Sequence, residues 1–104
     1  MAKPELKQNL LPLGSVVNLK TGDGTKVVII GRLTLTEDNG IKGYFEYSSV
    51  IYPSGIVDAN QLFFFNHEDI KEIFHEGFSD QEEIELQQQI KQLDIEYPKL
   101  SVNN

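Results

Sequence analysis

The chain has no cysteine, only two histidines and one methionine, and nine basic residues against sixteen acidic ones. Without cysteine it can form no disulfide, no thiolate zinc site and no cysteine nucleophile. The shortage of Lys and Arg disfavours nucleic acid and anionic membrane as partners, because both need a basic cluster to displace counterions. No apolar run approaches the length of a membrane span, so membrane insertion is not expected. Residues 1–8 are polar and the LLPL that follows is too short for the core of a secretory signal, so the expected compartment is the cytoplasm.

Catalytic signatures are missing as well. None of Ser15, Ser48 and Ser49 lies in a Gly-x-Ser-x-Gly elbow. The TGDGTK of residues 21–26 has neither the length nor the lysine placement of a phosphate-binding loop, and it precedes a strand where such loops precede a helix. The acids of DQEEIE lack calcium-loop spacing.

What is present is an uneven charge distribution. Up to Phe65 acids and bases balance, whereas residues 66–96 hold ten of the sixteen acids and only Lys71 and Lys91 as bases. The body is neutral and strand-rich. Residues 16–20, 26–36, 42–52 and 61–65 read as strands: VVII is apolar on both faces, KGYFEYSSVIY is aromatic and β-branched, and TGDGTK, Asp38-Asn39-Gly40 and Pro53-Ser54-Gly55 supply turns. In the run Phe63, Phe64, Phe65, successive rings must point to opposite faces of a sheet.

Beyond Asn66 the period changes. An Asx residue before His-Glu-Asp predicts an N-cap with acids in the first turn, and Ile70, Ile73 and Phe74 fall on one helical stripe, so a short helix is expected to about Glu76 with Gly77 as its stop. SDQE at residues 79–82 has capping-box spacing and predicts a second helix to about Asp94. On that helix Ile90 and Leu93 lie within about 40° of Leu86, while Ile84 and Ile95 fall on the opposite side. Such a helix either bridges two layers or meets a partner.

The expected fold is therefore one α+β domain: an antiparallel sheet of four to five strands, meander or barrel-like, followed by two C-terminal helices. Residues 1–9 are a flexible lead, 10–65 the sheet, 66–97 the acidic helical end and 98–104 a flexible tail.

The two histidines, His67 and His75, would be about 12 Å apart along one helix and cannot share a metal ion. Glu68, Glu72 and His75 would share a face and contain one Glu-x-x-His, where di-metal bundles need that motif twice. A solvated helix face is the expectation, with no metal, cofactor or catalytic residue. His67 reads as a packing and capping residue.

LLPLGSVVNLK, VVIIGR, the YPSG turn, FFFNHEDI and EGFSDQEE, in this order, resemble the small Gram-positive family called domain of unknown function 4176. The resemblance covers residues 10–85. It implies a cytoplasmic accessory factor encoded beside LXG-domain toxins, the substrates of type VII secretion, that binds the toxin's helical amino-terminal domain before export. It implies no catalytic residues. The expected function is then a chaperone or targeting adaptor whose partner-binding residues are Glu82, Glu83, Ile84, Leu86, Ile90, Leu93 and Ile95. The alternative is an immunity or antitoxin protein that neutralises a basic effector through Glu82, Glu83 and Glu85.

Overall fold

A computed structural model describes residues 9–102. Strands β1 (Val16–Leu19), β2 (Val27–Asp38), β3 (Ile41–Ile51), β4 (Phe63–Phe65) and β5 (Ile70–His75) precede one helix, α1 (Gln81–Lys91). They form a five-stranded antiparallel sheet in the order β4-β3-β2-β1-β5. The first four strands meander, and β5 returns to the free side of β1. Among the described residues no pairing joins β4 to β5, so the sheet is open and the barrel-like alternative does not hold.

The expected helix over residues 67–76 is corrected: there is one C-terminal helix, not two. Asn66 opens only a single 3₁₀ turn, His67–Asp69, in which the Asp69 carboxylate accepts from the Asn66 N–H (2.8 Å). The chain then becomes β5. In β5, Ile70 and Ile73 stand opposite Leu19 and Val17, so three residues of β5 span two of β1 across a bulge. The bulge converts a three-residue spacing, which reads as helical, into strand partners on alternate positions of β1. Pairing with β1 also satisfies backbone groups that would otherwise lie along an open edge.

The core lies between one face of the sheet and α1. Val17, Val27, Ile29, Tyr47 and Phe65 from the sheet meet Leu10 and Leu11 from the lead-in and Ile90 from the helix. Each fully buried aliphatic or aromatic side chain contributes about 1.5–3 kcal/mol. Phe65 joins the core beside Tyr47, whereas the Phe64 ring meets Phe45 at 5.7 Å between centroids.

The C-terminal segment is docked as far as it is described. The Tyr44 N–H donates to the Pro98 carbonyl (2.9 Å) and the Leu100 N–H to the Tyr44 carbonyl (2.8 Å). Gly43 makes room for it, since a Cβ there would lie 2.7 Å from Leu100 Cγ. Residues 98–100, expected as loose tail, thus lie beside Tyr44 of β3 in one isolated bridge. Of the expected flexible ends, residues 1–8, 103 and 104 lie outside the described residues.

The NHED segment is consumed by this architecture. The Asn66 side-chain oxygen accepts from the Glu46 N–H (3.0 Å) and its amide donates to the Leu100 carbonyl (2.7 Å). The His67 N–H donates to the buried Glu46 carboxylate (2.8 Å), and Lys99 donates to Glu68 (2.8 Å). The Lys99 hydrogen bond holds the Glu68 carboxyl below its ordinary range. Glu68, Glu72 and His75 do not share a helix face, and Glu72 is bound instead to Asn18, whose side-chain oxygen accepts from the Glu72 N–H (2.9 Å).

Candidate partner-binding surface

The position of α1 is set at its first turn. Asp80, not Ser79, is the N-cap: its carboxylate accepts from the Glu83 N–H (3.1 Å), and Glu82 and Glu83 place negative charge at the positive end of the helix dipole. Upstream, the Gly77 N–H donates to Ser15 Oγ (3.0 Å), which itself donates to the Pro12 carbonyl (2.8 Å). A Cβ on Gly77 would collide with the Leu13 carbonyl, so only glycine permits this approach. Phe78 is therefore delivered from a fixed backbone.

The helix faces the sheet through Glu83, Gln87 and Ile90, spaced i, i+4, i+7. Of the apolar stripe Leu86, Ile90 and Leu93, only Ile90 faces the sheet. Ile90 is 7 % exposed, but Leu86 is 40 % exposed and Leu93 lies beyond the helix, on the surface. The inward stripe is polar because the helix docks onto groups that need polar partners. Gln87 donates to the Leu10 carbonyl (2.7 Å) and accepts from the Leu10 N–H (3.1 Å), satisfying both backbone groups of one residue. Glu83 meets Arg32 of β2 in a two-pronged pair, with one contact at 2.9 Å, and also accepts from Gln87 (2.7 Å). The Arg32 hydrogen bonds hold the Glu83 carboxyl below its ordinary range.

With Glu83, Gln87 and Ile90 turned inward, Ile84 and Leu86 are left on the two flanks of α1, both exposed. Ile95 is half-buried in the segment after the helix. The seven residues expected to bind a partner therefore do not form one surface. Glu83 and Ile90 hold the helix to the body, Glu82 and Leu86 share an outer flank, and Ile84, Leu93 and Ile95 lie apart from it.

The Leu86 flank forms one wall of an open groove of about 640 Å³. Glu82, Glu85, Leu86 and Gln89, spaced i, i+3, i+4, i+7, line it from α1, and Leu13, Phe78, Asp80 and the Arg32–Glu83 pair complete it. Phe78 is 80 % exposed, and Leu13 is exposed beside it. Leu13 and Phe78 were not among the expected site residues. The signal for Phe78 was an aromatic between a helix stop and a capping sequence, where no strand or helix could bury it.

This is a small α+β domain with an open antiparallel sheet, a single docked helix and a groove in which Leu13, Phe78 and Leu86 lie among mostly acidic side chains. The chain belongs to the family of the domain of unknown function (DUF4176), whose model matches residues 10–86. The matched span ends within α1, so the helix's outer flank is largely inside it while Gln87 and Ile90 lie just beyond. No curated protein and no solved structure matches the chain. No described helix is long and apolar enough to cross a membrane.

Proposed function

We propose that this chain is a non-enzymatic protein-binding accessory factor, a cytoplasmic chaperone or targeting adaptor for a type VII-secreted LXG toxin. The observation that carries the reading is Phe78: a large aromatic exposed at the mouth of a groove and held on a backbone that Gly77 and Ser15 fix in place. Exposed aromatics on rigid supports are the residues that anchor protein interfaces, because little conformational entropy is lost when they are covered. Family membership supports the same reading through the role its resemblance implies. The polar residues of the family-like NHED segment are engaged in holding the fold together, which leaves the groove as the better place for a partner.

The immunity alternative relies on Glu82, Glu83 and Glu85 as a free acidic surface. Glu83 is already paired with Arg32, so the charge available to a basic effector is smaller than the sequence implies.

The test is co-elution of the full chain with the helical amino-terminal domain of the toxin encoded beside it. A one-to-one complex at micromolar concentration is expected, and its absence would count against the adaptor reading.

A further inference from the structure

We infer that the Leu13–Phe78–Leu86 groove receives a helix of the partner protein whose apolar ridge is flanked by lysines or arginines. The inference rests on the adaptor reading for the identity of the partner, but its chemistry comes from the groove.

The shape of the wall selects a helix. Glu82, Glu85, Leu86 and Gln89 are a single ridge of α1, spanning about 10 Å or two turns. Two helices pack by seating the ridge of one in the groove of the other, and the shelf formed by Leu13 and Phe78 supplies the second side against which an apolar ridge can rest. A two-turn contact is small, and contacts of that size belong to complexes that form and dissolve.

The charge selects the flanks. Arg32 is the one cation lining the groove among the described residues, and it is neutralised by Glu83. Asp80, Glu82 and Glu85 remain along the margin around Leu86. A ridge bordered by Lys or Arg would place opposite charges across this margin, while one bordered by acids would be repelled. Because these acids lie at the rim, they contribute mainly to the association rate and to discrimination, and Phe78, covered on binding, supplies most of the affinity.

The test uses two synthetic eighteen-residue helical peptides with the same leucine ridge, one flanked by lysines and one by glutamates, titrated into the full chain. The lysine peptide is expected to bind and the glutamate peptide not to. Phe78→Ser, a change at an exposed position, should leave thermal unfolding unchanged and weaken the lysine peptide at least about tenfold. Glu82→Lys combined with Glu85→Lys should reverse the preference between the peptides. Equal binding of both peptides, or binding indifferent to Phe78→Ser, would overturn the inference. The toxin's amino-terminal domain is titrated in parallel. If it binds wild type and Phe78→Ser alike, the adaptor reading stands and the groove assignment falls. If it binds neither while the lysine peptide behaves as expected, the groove assignment stands and the adaptor reading falls.

Discussion

Arg32 and Glu83, fifty-one positions apart, meet as a two-pronged ion pair with side chains only 7 % and 12 % exposed. This pair joins the middle strand of the sheet to the first turn of α1, and so fixes the wall of the groove. Glu83→Gln leaves the guanidinium buried without its counter-charge and should lower the unfolding free energy by about 3 kcal/mol at neutral pH. The Glu83 carboxyl is lowered from 4.5 in the folded state, chiefly by Arg32. The stability it contributes is therefore fully present above 4.5 and lost as pH falls through the lower folded value. Urea unfolding of wild type and Glu83→Gln should show a gap that narrows in acid.

Ile90 and Leu86 are four residues apart on α1 yet should respond differently to truncation. Ile90→Ala opens a space in the core and should cost about 2–4 kcal/mol. Leu86→Ala removes surface that water already reaches and should cost under about 1 kcal/mol. Thermal unfolding of the two variants checks which side of the helix carries the fold.

Tyr47 is wholly buried, and its hydroxyl accepts from the Leu11 N–H (2.8 Å) and is hydrogen-bonded to His67 Nδ1 (2.7 Å). Burial pushes its phenol up to about 12. A folded value above the unfolded 10.0 means that this stabilisation is fully present below pH 10 and is lost as pH rises toward 12. Ultraviolet titration should find one tyrosine that ionises only near pH 12. Tyr47→Phe should remove that step and cost about 1–3 kcal/mol, because the Leu11 N–H loses its partner.

Gln87 holds Leu10 by both its backbone groups. Gln87→Ala should release the lead-in segment first, so hydrogen exchange at the Leu10 and Leu11 amides should accelerate more than at β2 or β3. Uniform acceleration across the sheet would mean that the glutamine supports the whole fold and not the lead-in alone.

The strands were legible because their signals are local. Alternation and β-branching mark β2 and β3, and glycines mark the turns between β1 and β2 and between β2 and β3. β5 was not legible, because its spacing of apolar residues belongs to a bulge against β1, a partner fifty residues away in the chain. The second helix was visible, but its orientation was not. Apolar spacing grouped Ile90 with Leu86 and Leu93 without saying which side meets the sheet, and Glu83 and Gln87 face inward because Arg32 and the Leu10 backbone demand polar partners. Hydrophobic periodicity cannot register a buried polar contact whose other half is far away in sequence. The groove was missed for the same reason: Leu13 and Phe78 come together only through the Gly77 approach.

The most direct test of the adaptor account is to delete this chain from cells that produce an LXG toxin and a type VII secretion apparatus, and to measure secreted toxin together with growth. The account predicts that secretion falls to background while growth is unaffected, and that wild-type chain restores secretion. Unchanged secretion accompanied by growth arrest would contradict it and mark the chain as the toxin's immunity protein.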